Sequence, residues 1–148
     1  MQYTKPFQKA EYDRRIAQTK QSMADKGFDL IICQDPANMN WLTGFDGWSF
    51  YTPQAVLLHL EEDAPIWFGR PQDAKAAHIT TDIPPENITT FSETLIHHPT
   101  EHPYDDLATL NHAFTGDALN DTLAYNLVGE RLSETISDPQ HILTWLPL

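Results

Sequence analysis

The apolar positions in the first part of the chain predict a helix followed by a buried strand. Residues 7–26 are rich in helix formers, and Tyr12, Ile16 and Met23 recur at steps of four and seven that place them on one helical face. The glycine that follows is the residue type that most often ends a helix. The short, mostly apolar run of residues 28–33 then predicts a strand covered on both faces of its sheet.

A second helix is predicted directly after this strand. Asp35 can cap a helix with its carboxylate, and Pro36 follows at the first helical position, where its ring already holds the helical φ. No other helix start in the chain combines these two signals so clearly. We expect a short helix from Pro36 to Leu42.

A β-hairpin is predicted in the middle of the chain. Residues 49–60 contain enough aromatic and aliphatic side chains for one or two strands, interrupted at Pro53. The acidic turn at residues 61–64 then separates the apolar residues 56–58 from the apolar residues 66–68. This arrangement predicts that the two apolar runs pair in an antiparallel hairpin.

The remaining pattern predicts a mixed α/β fold. Residues 71–79 and 103–114 are typical of helices, and residues 88–91 are typical of a short strand. Two interpretations remain open for residues 123–136: a helix interrupted at a glycine, or a strand at residues 127–128 followed by a helix. The expected fold is therefore a central sheet flanked by helices.

Composition and charge narrow the class of protein. The 148 residues are 41% hydrophobic and show no internal repeat or linker, which predicts one domain spanning residues 1–148. A formal net charge of -12 disfavours nucleic acid as a partner, because phosphates are bound largely by Lys and Arg. The chain also lacks the ~20-residue apolar segment of a membrane span and a signal-peptide-like start. We therefore expect a soluble, cytoplasmic protein with no membrane partner.

Three histidines form the obvious candidate for a metal site. His97, His98 and His102 lie close together in the sequence, and imidazole is a common zinc ligand. Pro99, however, favours extended backbone in the residue before it, so His98 and His102 are not expected to share a helical face. We predict ordinary loop histidines and no metal ligand in this chain.

No nucleophilic motif is present either. The serines lack the Gly-x-Ser-x-Gly setting of a nucleophile elbow, and the glycines do not form a cofactor-binding loop. The single cysteine, Cys33, ends an apolar run and is typical of a small core residue. The sequence therefore predicts no catalytic residue and no cofactor site.

The segment from residue 41 to residue 51 has an unusual density of aromatic side chains. Its rings belong to Trp41, Phe45, Trp48, Phe50 and Tyr51. They could pack one end of the core, which is the common role of aromatic clusters. They could equally form a ligand wall or a partner surface, where Trp and Tyr are enriched.

The same region carries a resemblance to a known family. Residues 35–51, which read Asp-Pro-Ala-Asn-Met-Asn-Trp-Leu-Thr-Gly-Phe-Asp-Gly-Trp-Ser-Phe-Tyr, resemble the amino-terminal domain of the creatinase/prolidase superfamily, in its ectoine hydrolase and Xaa-Pro-peptidase-like branch. Residues 7–27, 69–74 and 102–105 occur in the matching order, so the resemblance covers about residues 7–110. It implies a mixed central β-sheet flanked by helices, with a ribonuclease H-like architecture.

The resemblance also implies where catalysis takes place. In such enzymes the catalytic residues lie in a second, pita-bread domain, where Asp, His and Glu side chains of the peptidases bind two divalent metals. We therefore expect that domain to be absent from residues 1–148 and this chain alone to be inactive. The amino-terminal domain of the family mainly builds the dimer and reaches over the partner subunit's active site. A homodimer or the parent enzyme's catalytic domain is the expected partner.

The resemblance singles out three gating candidates: Trp48, Phe50 and Tyr51. In creatinase-like members, an aromatic side chain and an arginine at positions matching Phe50 and Thr52 touch the substrate. Phe50 keeps the aromatic ring, but Thr52 replaces the cation, which disfavours creatine. The leading hypothesis is a dimerisation and substrate-gating domain of a C–N hydrolase acting on a small amide, cyclic amidine or proline-containing dipeptide. The alternative is a stand-alone interaction or small-molecule-binding module.

Overall fold

The computed structural model describes residues 3–107 and the backbone of residues 142–145. Its α-helices are α1 (Lys9–Lys26), α2 (Pro36–Thr43) and α3 (Ala74–Thr80), and residues 103–107 are also helical. Its strands are β1 (Leu30–Cys33), β2 (Ala55–His59), β3 (Ile66–Gly69), β4 (Ile88–Thr90) and β5 (Ile142–Trp145). Short 3₁₀ turns at Pro85–Asn87 and Glu93–Leu95 flank β4.

The five strands form one mixed sheet in the order β4-β3-β2-β1-β5. β2 runs antiparallel to both β1 and β3, whereas β3 and β4 are parallel, as are β1 and β5. The expected mixed central sheet is confirmed. The pairing of β5 with β1 was not anticipated, because residues 142–145 lie far along the chain from their partner.

The predicted hairpin is confirmed, with Leu57 opposite Ile66 and Val56 opposite Trp67. One or two strands were expected in residues 49–60, and the structure has one, because β2 begins only at Ala55. Residues 49–54 instead form a loop that leads into this strand.

Both faces of the sheet are buried, as the apolar runs predicted. Trp67 and Phe68, neighbours on β3, point to opposite faces. The Trp67 ring lies 5.4 Å from Phe45 on the side covered by α1, α2 and α3, and the Phe68 ring lies 5.7 Å from Phe91 on the other side. The helical residues 103–107 cover that second side, so helices flank the sheet.

The helix ends follow the predicted signals in most places. α1 ends at Gly27, which adopts a left-handed φ of 72°. Asp35 caps α2 by accepting a hydrogen bond from the backbone N–H of Asn38 at 3.0 Å. Gly44 ends α2 with a φ of 80°, and a Cβ there would lie 2.9 Å from Tyr12 atoms, so the close contact between α1 and α2 also requires glycine.

Other predicted bounds were wrong by a few residues. α3 begins at Ala74 rather than at residue 71, because the N–H groups of Asp73 and Ala74 both bond to the carbonyl of Arg70 and close a turn first. β4 ends at Thr90 rather than at residue 91. The helix predicted at residues 103–114 is present as far as residue 107, and its remainder and residues 123–136 lie outside the described residues.

An arginine ties α1 to α2. The Arg15 guanidinium is buried, and it donates hydrogen bonds to the Glu11 carboxylate at 2.9 Å and to the Trp41 carbonyl at 2.8 Å. It also lies 4.4 Å from the centre of the Phe7 ring and 5.3 Å from that of Trp41. Hydrogen bonds and cation–π contacts therefore compensate for the burial of this charge.

Replacing Asp35 with alanine should destabilise the fold through loss of the α2 cap. We expect the free energy of unfolding to fall by about 1 kcal/mol in chemical denaturation. Asp63→Ala, which removes the same charge from the exposed turn between β2 and β3, is the matched control and should have little effect. Equal losses for both variants would contradict the capping role.

Cys33 should be unreactive in the folded protein. Burial, with a smaller contribution from the Asp35 charge, raises the pKa of the Cys33 thiol to about 12. Since only the thiolate attacks disulfide reagents, we expect almost no reaction with Ellman's reagent at mildly alkaline pH until the chain is unfolded in guanidinium. A native-state rate equal to the unfolded-state rate would refute the assignment of Cys33 to the core.

Candidate functional site

The strand directions bring several loops to one edge of the sheet. Because β2 runs opposite to its neighbours, its amino end lies beside the carboxyl ends of β1 and β3. The parallel pairs add the carboxyl ends of β4 and β5 to the same edge. We call this the carboxyl edge. Ligands of open α/β sheets commonly bind outside the carboxyl ends of the strands, which makes this edge the first place to look for a site.

The loop of residues 44–54 leads from α2 into β2, which it enters at this edge, and its first part is anchored in the core. Phe45 is only 2% exposed. Its carbonyl accepts a hydrogen bond from the Asn40 amide at 3.1 Å, and its N–H donates to the Thr43 hydroxyl at 3.2 Å. A Cβ at Gly47 would lie 2.3 Å from the Phe45 ring, so this glycine lets the backbone cross directly over the ring.

The second part of the loop is held by a buried serine. The Ser49 hydroxyl donates to the Gln54 side-chain oxygen at 3.2 Å, and both side chains are buried. The Ser49 carbonyl accepts hydrogen bonds from the Thr52 N–H at 2.9 Å and the Thr52 hydroxyl at 3.0 Å. This turn places Phe50 and Tyr51 at its tip, directed away from the core.

Three adjacent rings therefore stand in solvent. Trp48 is 81% exposed, Phe50 59% and Tyr51 65%. Phe50 packs edge-to-face against both neighbours, with ring centres 5.7 Å from Trp48 and 5.9 Å from Tyr51. We call these three side chains the aromatic surface. They are the same three residues that the sequence singled out as gating candidates.

The two interpretations of the aromatic segment apply to different residues. Core packing holds for Phe45, whose ring lies against Trp67. Trp41 is half exposed on α2 and stacks on Arg15. The three rings of the aromatic surface do not pack into the core. Their exposure is compatible with a gating role, which remains a prediction.

A cation lies beside this surface that sequence reasoning missed. Arg70 directly follows β3, and its Nε and Nη2 atoms each lie 3.0 Å from carboxylate oxygens of Glu93, which follows β4. Hydrogen bonding to Glu93 raises the pKa of Arg70, and the charges of Glu93 and Asp73 act in the same direction. Its position immediately after a predicted strand was the one available signal.

The histidines do not form a metal site in the part of the chain that the structure describes. The Nδ1 atom of His98 accepts a hydrogen bond from the Glu101 N–H at 3.0 Å, and that of His102 accepts one from Tyr104 at 3.2 Å. His97 has a left-handed φ of 62° in the same loop. Residues 3–107 contain no group of three or more His, Cys, Asp or Glu side chains that could hold a metal ion.

A groove elsewhere on the molecule is separate from the aromatic surface. It has a volume of about 400 Å³ and runs along α1 towards the opposite edge of the sheet, where Pro65 and Pro84 contribute to its wall. Tyr12 and Ile16 line it from the helix. None of the gating candidates lines this groove.

Among the described helices, none is long and apolar enough to cross a membrane.

Comparison with known proteins agrees with the resemblance found in the sequence. The family described as Creatinase/Prolidase N-terminal domain matches residues 15–137. An ectoine hydrolase of Halomonas elongata is 44% identical over 108 residues, which are 73% of this chain and 27% of that protein. An uncharacterized hydrolase/peptidase, y4tM, of Sinorhizobium fredii is 40% identical over 104 residues, or 70% of this chain and 26% of that protein. The matched region thus spans about a quarter of the length of these relatives.

Solved structures share the fold at low sequence identity. A dipeptidase domain from Streptococcus thermophilus superimposes with a TM-score of 0.61 at 18% identity, covering 88% of this chain and 91% of that one. A prolidase from Thermococcus sibiricus gives a TM-score of 0.61 at 17% identity over 90% of this chain and 34% of that one. The fold and the family predicted from residues 35–51 are both confirmed, and the chain belongs to the creatinase/prolidase amino-terminal domain family.

Proposed function

We propose that this chain acts in the cytoplasm as the non-catalytic amino-terminal domain of a C–N hydrolase. In this proposal the aromatic surface closes over a substrate site whose reactive groups belong to a separate catalytic domain. The observation that carries the proposal is the exposure of Trp48, Phe50 and Tyr51 side by side at the carboxyl edge. Contiguous exposed rings on a folded domain commonly mark a binding surface.

The energetics favour a surface that is covered when the enzyme assembles. Fully burying one large apolar side chain contributes about 1.5–3 kcal/mol. Covering the three exposed rings would therefore stabilise an assembled enzyme relative to the isolated chain. The Ser49 and Gly47 contacts hold the backbone beneath the rings, so the rings would meet a substrate without first being ordered. Such a surface suits the covering of a small, partly apolar ligand.

The substrate class follows from the relatives and from Thr52. The named relatives include an ectoine hydrolase and proline dipeptidases, which favours a cyclic amidine or a proline-containing dipeptide over creatine. The Thr52 hydroxyl donates to the Ser49 carbonyl and so serves the turn itself. Thr52 is neutral, so this position does not supply the cation that the resemblance places there in creatinase-like members.

We further propose that the divalent metals implied for the family's peptidases are held by the catalytic domain. The described residues offer no cluster that fits such an ion. In this division of labour the present chain contributes contact area, orientation and exclusion of water. Proton transfer and nucleophilic attack belong to the other domain.

Replacing Trp48 with alanine should weaken catalysis without weakening the fold. We expect kcat/KM to fall about tenfold, which corresponds to about 1.4 kcal/mol, when the variant is mixed with a separately expressed catalytic domain of the parent enzyme. The free energy of unfolding should change by no more than about 0.5 kcal/mol, because the ring is exposed.

Two control variants make this test specific. Ile79→Ala truncates another exposed apolar side chain, on α3, and should leave both activity and stability unchanged. Phe45→Ala empties a core position and should cost about 3–5 kcal/mol of stability. If Trp48→Ala unfolds the chain as Phe45→Ala does, the ring is structural. Full activity in the Trp48 variant would contradict the covering role of this ring, whereas no activity on mixing even with the unchanged chain would favour a stand-alone binding module.

The proposal also includes a homodimer. Uncovered rings should promote association of two copies, and we expect sedimentation equilibrium to show a concentration-dependent dimer. Replacing all three residues of the aromatic surface with alanine should weaken this association at least tenfold, whereas Ile79→Ala should not. A monomer at every accessible concentration would contradict the dimerisation role for this chain.

A further inference from the structure

Arg70 and the aromatic surface lie at the same edge of the sheet. The register places Phe68 opposite Ala55, so Arg70, two residues after Phe68, lies near the point where the loop of residues 44–54 enters β2. Tyr51, at the tip of that loop, is close enough to interact electrostatically with Arg70. A positive charge therefore borders the exposed rings.

This charge is isolated among acidic neighbours. Within residues 27–107 the Lys and Arg side chains are Arg70 and Lys75, whereas Asp and Glu are numerous. The other described basic residues belong to the first 26 residues, on and before α1. An anion that approaches this part of the molecule therefore meets few cations, and Arg70 is one of them.

The guanidinium group of Arg70 is oriented but not saturated. It carries five N–H donors, of which Glu93 engages those on Nε and on one side of Nη2, all at 3.0 Å. The described residues place no hydrogen-bond acceptor at Nη1. Nη1 and the remaining N–H of Nη2 thus carry donors that no described residue engages, and the side chain is 24% exposed. These two nitrogens have the spacing that binds a carboxylate through two parallel hydrogen bonds.

Resting on the function proposed above, we infer that Arg70 binds the carboxylate of the substrate that the aromatic surface covers. The substrate class is a small carboxylic acid with an apolar or cyclic body: the rings contact the body and the guanidinium contacts the acid. Glu93 is a positioning residue, because its two oxygens hold the guanidinium at the edge. A single cation with Glu93 and Asp73 nearby suits a singly charged carboxylate better than a doubly charged phosphate.

The test compares two probes that differ only at the acid. The dipeptide Ala-Pro and its carboxamide, Ala-Pro-NH₂, are titrated into the ¹⁵N-labelled chain while the Arg70 Nε–H and Trp48 indole N–H signals are followed by NMR. We expect the dipeptide to shift both signals in a saturable manner and to bind at least tenfold more tightly than the carboxamide, because a charge-assisted pair is lost in the amide.

Variants separate Arg70 from general charge effects. Arg70→Met should abolish the preference for the acid, whereas Lys75→Met, with the same change in net charge, should retain it. Glu93→Gln keeps a hydrogen-bond acceptor beside Arg70 and should retain most of the preference, whereas Glu93→Ala should reduce it. Arg70→Lys, which keeps the charge but loses the paired donors, should bind the acid less well than the parent chain.

The outcomes distinguish this inference from the function on which it rests. If both probes shift the Trp48 signal with equal affinity, or if Arg70→Met keeps the preference for the acid, the role of Arg70 is overturned while the aromatic surface stands. If neither probe moves the Trp48 signal, the proposed contact between rings and substrate is contradicted, and the inference fails with it.

Discussion

Burial of both faces of the central strands is the constraint on which the rest of the structure depends. β1, β2 and β3 carry apolar side chains on each face, so the sheet is stable only when helices cover it on both sides. Covering both faces leaves the strand ends as the places where polar or aromatic side chains can reach solvent. The reversed direction of β2 then gathers one set of those ends at the carboxyl edge.

The loop of residues 44–54 shows how a folded core can present rings to solvent. Phe45 is drawn inside against Trp67, and Ser49 is buried a few residues later, so the loop is fixed at two points. Trp48 lies between these points and Phe50 directly after the second, and both rings remain exposed. Exposure of the aromatic surface is compatible with a role in which another surface or a ligand covers the rings.

The arginines, like the aromatic residues, include members that stabilise the packing of the helices and one that lies at the carboxyl edge. The basic residues of α1 mostly pair within the helix region, as Arg15 does with Glu11, and stabilise its contact with α2. Arg70 is different, because it lies after a strand end and is held by the carboxylate of Glu93, in the 3₁₀ turn that follows β4. The distinction comes from topology, since both are ordinary arginines in the sequence.

Local signals in the sequence determined the helices, a strand within residues 28–33, the hairpin and the family, because capping residues, apolar runs and the motif after Asp35 act over short distances. They also singled out Trp48, Phe50 and Tyr51, but not which aromatic rings of the segment would be buried. Only the tertiary structure decided that Phe45 enters the core, that residues 142–145 pair with β1, and that Arg70 meets Glu93. Each of these depends on contacts between residues distant in the chain, which no local pattern records.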